Sequence, residues 1–180
     1  MRDLPTVETE RLILRPLILL DAPEVARLAG ERDIAATTLL IPHPYGRRDA
    51  EEWITGHGHA FEADTGLSLA IARREDCALV GAVSFKISRV HNHAELGYWI
   101  GKPFWNKGYA TESGRAMVAC GFESLDLHRI HAHHFANNLS SGRVLEKIGL
   151  LYEGRLRDHV FKWGEYHDCL LYGLTRAAWR

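Results

Sequence analysis

The stretch WNKGYATE, residues 105–112, sets a lysine, a glycine and small or hydroxyl-bearing residues directly ahead of a helical pattern. From there Ala110, Gly114, Met117, Val118, Gly121 and Phe122 recur at the spacing of one face of an amphipathic helix. The first turn of such a helix carries backbone N–H groups without intrahelical partners, and the helix dipole adds positive potential there. Gly108 and Ala110 have no bulky side chain, so a phosphate oxygen would approach those N–H groups closely. An ordinary loop entering a core helix fits the same residues. Neither familiar nucleotide motif is present: GYWIGKP, residues 97–103, has the wrong glycine spacing and no hydroxyl residue after its lysine, and GHGHAF, residues 56–61, lacks a third glycine.

A carboxylate precedes this loop. In AELGYWIG, residues 94–101, strand alternation puts Ala94, Leu96, Tyr98 and Ile100 on one face and Glu95, Gly97 and Trp99 on the other. Glu95 is the sole carboxylate of a largely apolar strand, and it reads either as a solvent-facing residue or as a general base whose pKa is raised by partial burial. Gly97 inside a strand marks a bulge or a close backbone approach, an edge opened for a ligand. Downstream, Asn138, Ser141, Leu145 and Ile148 share one helical stripe. Its two polar members either cap the helix or point into a cleft, toward a polar ligand or an attacking or leaving group.

The histidines invite a metal reading. His91 with His93, and His131 with His133, have i, i+2 spacing, while His57 and His59 lie late in a helix. No third ligand and no Cys/His signature accompanies them, so they are read as surface histidines and no metal is expected. A serine hydrolase lacks its G-x-S-x-G elbow, and Ser113 and Ser141 sit in helical starts instead.

The elements that must position these groups alternate along the chain. Residues 11–19 read as a strand, 21–30 and 47–61 as helices, and 67–72 with 78–87 as a hairpin. The strand carrying Glu95 leads into the phosphate-loop candidate and its helix; residues 128–135 form another strand and 141–149 a short helix ended by Gly149. Two strands around the turn KWGEY, residues 162–166, close the chain. The order predicts a mixed α/β fold, a sheet covered by helices on both faces.

At 180 residues the chain is expected to be one domain, residues 1–180, with an ordinary globular composition of 46% hydrophobic and 25% charged residues. A formal net charge of -1 gives no general attraction to nucleic acid or to an anionic membrane, so partners should be chosen by a pocket. Cys77, Cys120 and Cys169 are odd in number and far apart, which fits a reducing compartment. With no apolar h-region at the start and no long apolar run, a cytoplasmic location is expected.

The ordered set TERLILRPL, AELGYWIGKPFWNKGYATE, HRIHAHHFANNLSSGRVLEKIGLLYEGRL and GEYHDCLLYGLT resembles the GCN5-related N-acetyltransferase (GNAT) superfamily, specifically its RimJ/RimL-like branch, over almost the whole chain. The resemblance implies a central, mostly antiparallel sheet flanked by helices, with its fourth and fifth strands splayed around the pantetheine arm of acetyl-CoA. By position it assigns the pyrophosphate to Asn106, Lys107, Gly108, Tyr109, Ala110 and Thr111, and pantetheine to the backbone of Trp99 and Ile100 and to Asn138. It makes Glu95 the acceptor of the amine proton, directly or through a water, and Ser141 the donor toward the leaving thiolate, with Tyr98 or Tyr152 as alternatives. Trp105 stands where the superfamily commonly has Gln or Arg, Leu150 where it often has Phe, and Gly142 weakens the start of the second helix.

The implied reaction is direct acetyl transfer to a primary amine. An α-amine is roughly a quarter neutral near pH 7.4 and a lysine side chain only about one part in a thousand, which favours a protein or peptide N terminus as acceptor. A polyamine, an aminoglycoside and a noncatalytic acyl-CoA sensor are the alternatives. Residues 37–53 and the last hairpin should form the acceptor pocket, with Arg47 and Arg48 either meeting an acidic group or solvated. Homodimers are common among such proteins.

Overall fold

The structure, a computed structural model, describes residues 3–179. Eight strands form one sheet: β1 (Val7–Glu8), β2 (Leu12–Pro16), β3 (Gly66–Arg73), β4 (Leu79–Ser88), β5 (His93–Ile100), β6 (Arg129–Phe135), β7 (Leu151–Lys162) and β8 (Glu165–Thr175). Their spatial order is β1-β2-β3-β4-β5-β6-β8-β7, antiparallel throughout except for the parallel pair β5–β6. The helices are α1 (Ala22–Ala29), α2 (Arg32–Thr37), α3 (Arg47–Glu62), α4 (Tyr109–Glu123) and α5 (Leu139–Lys147).

Strand alternation feeds two cores, one on each side of the sheet. Leu67, Leu69, Val83, Phe85, Leu96 and Ile130 pack against Met117, Val118 and Phe122 of α4 and Leu145 of α5. Ala70, Ala82 and Trp99 pack against Ala22, Val25 and Leu28 of α1, Ile34 of α2 and Ala50 and Ile54 of α3. The predicted apolar face of α4 is the buried one, although the half-exposed Ala110 leads it rather than joining it. No helix among the described residues is long and apolar enough to cross a membrane.

Two elements depart from expectation. The first long strand stops at Pro16, and a 3-10 turn follows over Leu19–Asp21. The Asp21 carboxylate accepts the Ile18 N–H at 2.9 Å and pairs with Arg15 at 2.7 Å, which turns the chain despite the apolar run. Helix α2, absent from the sequence reading, forms because Ile34 and Ala35 are buried on a neighbouring core, a contact no local pattern announces. The terminal hairpin turns at Trp163 and Gly164, both with positive φ (53° and 88°), as a two-residue primed turn requires.

β5 and β6 pair only at His93↔Arg129, Ala94↔Ile130 and Glu95↔His131. Beyond that point β5 stays on β4 as far as Ile100, and β6 stays on β8 as far as Phe135. The two strands therefore splay, and the fork begins at Glu95.

Candidate active site

The loop before α4 is held from outside. Arg11 donates to the Lys107 carbonyl at 3.0 Å and pairs with Glu112 at 2.6 Å, and Thr9 Oγ1 donates to the same carboxylate at 2.6 Å. Asn106 (φ 61°) and Gly108 (φ 81°) both adopt left-handed backbone, and no side chain caps α4 at Gly108. The first-turn N–H groups are left for a ligand, in the concave arrangement that holds anions. A cavity of about 580 Å³ opens there, bordered by Asn106, Gly108, Tyr109, Ala110 and Thr111. Lys107 does not border it: its carbonyl is taken by Arg11 and its ammonium lies 5.6 Å from the Phe104 ring. Across the cavity stand Arg143 and Lys147 of α5, one turn apart, two cations that sequence reasoning passed over although GRVLEK spaces them at i, i+4.

Main-chain direction in β5 corrects one expectation. Gly101 N–H bonds to Val80 C=O at 2.8 Å across the β4–β5 ladder, so by alternation the N–H and C=O of Trp99 also face β4, while those of Tyr98 and Ile100 face the fork. Trp99 borders both cavities, but its N–H and C=O are not turned to the gap. The Ile100 carbonyl already accepts the Trp105 indole N–H at 2.5 Å, leaving the Ile100 N–H as its free gap-facing group. Trp105 thus braces the strand end.

Asn138 is both a cap and a wall. Its Oδ1 accepts the Ser141 N–H at 3.2 Å at the start of α5, its Nδ2 donates to the Thr37 carbonyl at 3.4 Å, and it borders the same cavity. Ser141 Oγ lies 2.8 Å from Tyr98 Oη. Burial raises the Tyr98 phenol to about 12, against a smaller opposing effect of the Ser141 hydrogen bond. Tyr152 is exposed on β7 against Tyr172, borders neither cavity and is no candidate for the same task.

A second cavity, of about 800 Å³, lies on the other side of the fork. It shares Thr37, Thr38, Tyr98, Trp99 and Ser141 with the first, so the two cavities adjoin along these residues. Glu95 borders it, half-buried, with Oε1 at 3.0 Å from Nδ1 of His133 on β6. The His133 hydrogen bond holds the Glu95 carboxyl below its ordinary range and outweighs the desolvation that pushes it up. That reverses the expected raised pKa: a neighbouring strand supplies a donor that the sequence around Glu95 does not reveal.

The histidines are not uniformly surface residues. His131 Nε2 sits 3.3 Å from His93 Nδ1, and the His91 ring stacks on His93 at 5.7 Å. His57 and His134 are buried, at 8% and 4% exposure. No group of three metal-ligating side chains occurs among the described residues. Arg47 and Arg48 turn outward to Glu51 and Glu52 of their own helix, at 2.7 and 2.8 Å. The wall of the second cavity comes instead from residues 37–42, Tyr45, Trp53 and Val160.

The acetyltransferase (GNAT) domain family matches residues 11–151. The uncharacterized N-acetyltransferase YoaA of Bacillus subtilis is 31% identical over 96% of this chain and 97% of its own length. The [ribosomal protein uS5]-alanine N-acetyltransferase of Escherichia coli is 31% identical over 56% of this chain and 53% of its own. The crystal structure of a probable acetyltransferase superposes with a TM-score of 0.87 at 29% identity, covering 97% of this chain and 99% of that one. RimL, a ribosomal L7/L12 α-N-protein acetyltransferase solved with coenzyme A, shares the fold at a TM-score of 0.88 and 18% identity, covering 97% and 99%. On the family match over residues 11–151 and the full-length relative, the chain belongs to the GNAT family as an acetyl-CoA-dependent N-acetyltransferase.

Proposed function

We propose that the acceptor is the α-amine of a protein or peptide N terminus, as in the ribosomal-protein acetyltransferase that the chain resembles over part of its length. The observation that carries this reading is the Glu95–His133 pair at the mouth of the acceptor cavity. Whichever member of the pair takes the proton, a carboxylate and an imidazole are both weak bases, suited to an amine of about pKa 8 rather than a lysine near 10.4. The fit to acetyl-CoA rests on the uncapped α4 terminus for the pyrophosphate and on Arg143 and Lys147 for its charge. The gap-facing N–H groups of Tyr98 and Ile100 serve the pantetheine amide and the thioester carbonyl oxygen. Tyr98 and Ser141 hold the hydroxyl protons available to the departing thiolate.

A second reading has its own support: Asp49 and Glu95 both border the acceptor cavity, carboxylates that would attract a polyamine or an aminoglycoside, although Lys86 borders it too and Glu52 is paired with Arg48. Acetyl-CoA-dependent thiol release across free-terminus peptides, the same peptides blocked but carrying lysine, a polyamine and an aminoglycoside separates the two. Release with free termini alone supports the α-amine. Release with small amines alone replaces it.

A further inference from the structure

We propose that His133 Nε2, and not the Glu95 carboxylate, is the atom that takes the proton from the acceptor ammonium, with Glu95 holding the imidazole in the tautomer this requires. This rests on the amine-acetylating reading above. An ionised carboxylate can only accept a hydrogen bond, so the 3.0 Å contact between Glu95 Oε1 and His133 Nδ1 places a proton on Nδ1, and the neutral ring in that tautomer carries its lone pair on Nε2. Among the described residues no protein group hydrogen-bonds that Nε2, and His133 borders the acceptor cavity beside Phe135 and Ser141. The carboxylate meanwhile spends one oxygen on the imidazole, a division of labour in which the acid orients the ring and stabilises the imidazolium.

The charged surroundings match. Glu95 of β5, His131 and His134 of β6 and the His159 ring of β7 at 6.3 Å face His133, Lys86 of β4 acts on Glu95, His93 of β5 sits against His131, and Asp49 and Glu52 of α3 border the same cavity. In the reaction the ammonium gives one proton to Nε2, and the freed lone pair forms the C–N bond as the C–S bond breaks. The second proton, lost from the new amide nitrogen, returns to the Tyr98–Ser141 hydroxyl pair as that pair gives one to the departing thiolate, and the imidazolium releases the first proton to water.

The test combines spectroscopy with kinetics on the full chain. Nitrogen-15 histidine spectra, with His133 assigned by its disappearance in H133Q, should show a proton on Nδ1 and none on Nε2, and E95Q should disturb that tautomer. H133Q should lower kcat by about 10²-fold and erase the acid limb of the pH profile, while acetyl-CoA affinity stays level. E95Q should keep the limb, displaced, with a smaller loss in kcat. A His133 protonated on Nε2, or an H133Q enzyme that keeps the wild-type limb and rate, overturns the proposal. If wild type acetylates no amine, the functional reading fails and the catalytic role falls with it, which the tautomer spectrum distinguishes from failure of the dyad alone.

Discussion

Tyr98 Oη and Ser141 Oγ stand 2.8 Å apart, joining β5 to α5 where the two cavities meet. A phenol pushed up to about 12 keeps its proton across the working pH range, so it stays a hydrogen-bond donor to the serine whose own hydroxyl reaches the thiolate. Y98F and S141A are each expected to lower kcat by roughly 10- to 100-fold without weakening acetyl-CoA binding. Because the hydroxyls act in series, the double variant should be little worse than the poorer single one. Steady-state kinetics with calorimetry checks this; multiplied losses would mean the two act independently.

Gly108 combines a φ of 81° with the Arg11 guanidinium 3.3 Å from where a Cβ would sit. Alanine there should cost about 1 kcal/mol of backbone strain and weaken acetyl-CoA binding in proportion. Glutamate adds bulk and negative charge at the anion site and should abolish binding. Calorimetric titration of G108E showing wild-type affinity would remove the pyrophosphate from this loop.

The Lys162 ammonium at the end of β7 donates to the main-chain carbonyls of Ala35, Thr38 and Ile41, and the neighbouring Trp163 ring lies 5.4 Å from the Arg32 guanidinium. This ties the hairpin tip to the segment that walls the acceptor cavity. K162M leaves three carbonyls without that donor, and we expect a loss of about 1 to 3 kcal/mol in stability. The Michaelis constant for the acceptor should rise severalfold while acetyl-CoA affinity holds. An unchanged acceptor constant would mean the tie is structural only.

His57 is buried with both ring nitrogens unpartnered, 4.5 Å from the Trp53 ring, and burial pushes its pKa down to about 4. The unfolded chain, with an imidazole near 6.5, binds more protons across that window, so this residue's contribution to stability is complete above about pH 6.5 and is lost as pH falls toward 4. Urea unfolding should show about 2 kcal/mol lost on this account between pH 7 and pH 5. H57F, which keeps a ring against Trp53, should lose correspondingly less. Equal losses in both proteins would show that the imidazole stays neutral in neither state or titrates alike in both.

How much of this was legible along the chain depends on the range of the interaction. The face of α4, the glycine at its entrance, the lone carboxylate of β5 and the turn at Trp163–Gly164 are set by spacing within a few residues, and the residue types alone announced them. Local patterns were silent on contacts that strand order creates. Glu95 meets His133 across 38 positions because β6 lies beside β5, and Lys162 meets Thr38 because the last hairpin folds back over the acceptor loop. Alternation told which side chains of β5 share a face, but only the partner strand decides which peptide groups face the fork, and it turned Trp99 away and left Ile100. The sequence by itself determined the elements and the residues able to do chemistry, since propensity and periodicity act locally. Tertiary structure alone decided which of those residues meet, and so which way the Glu95 pKa moves, since register and desolvation belong to the assembled sheet.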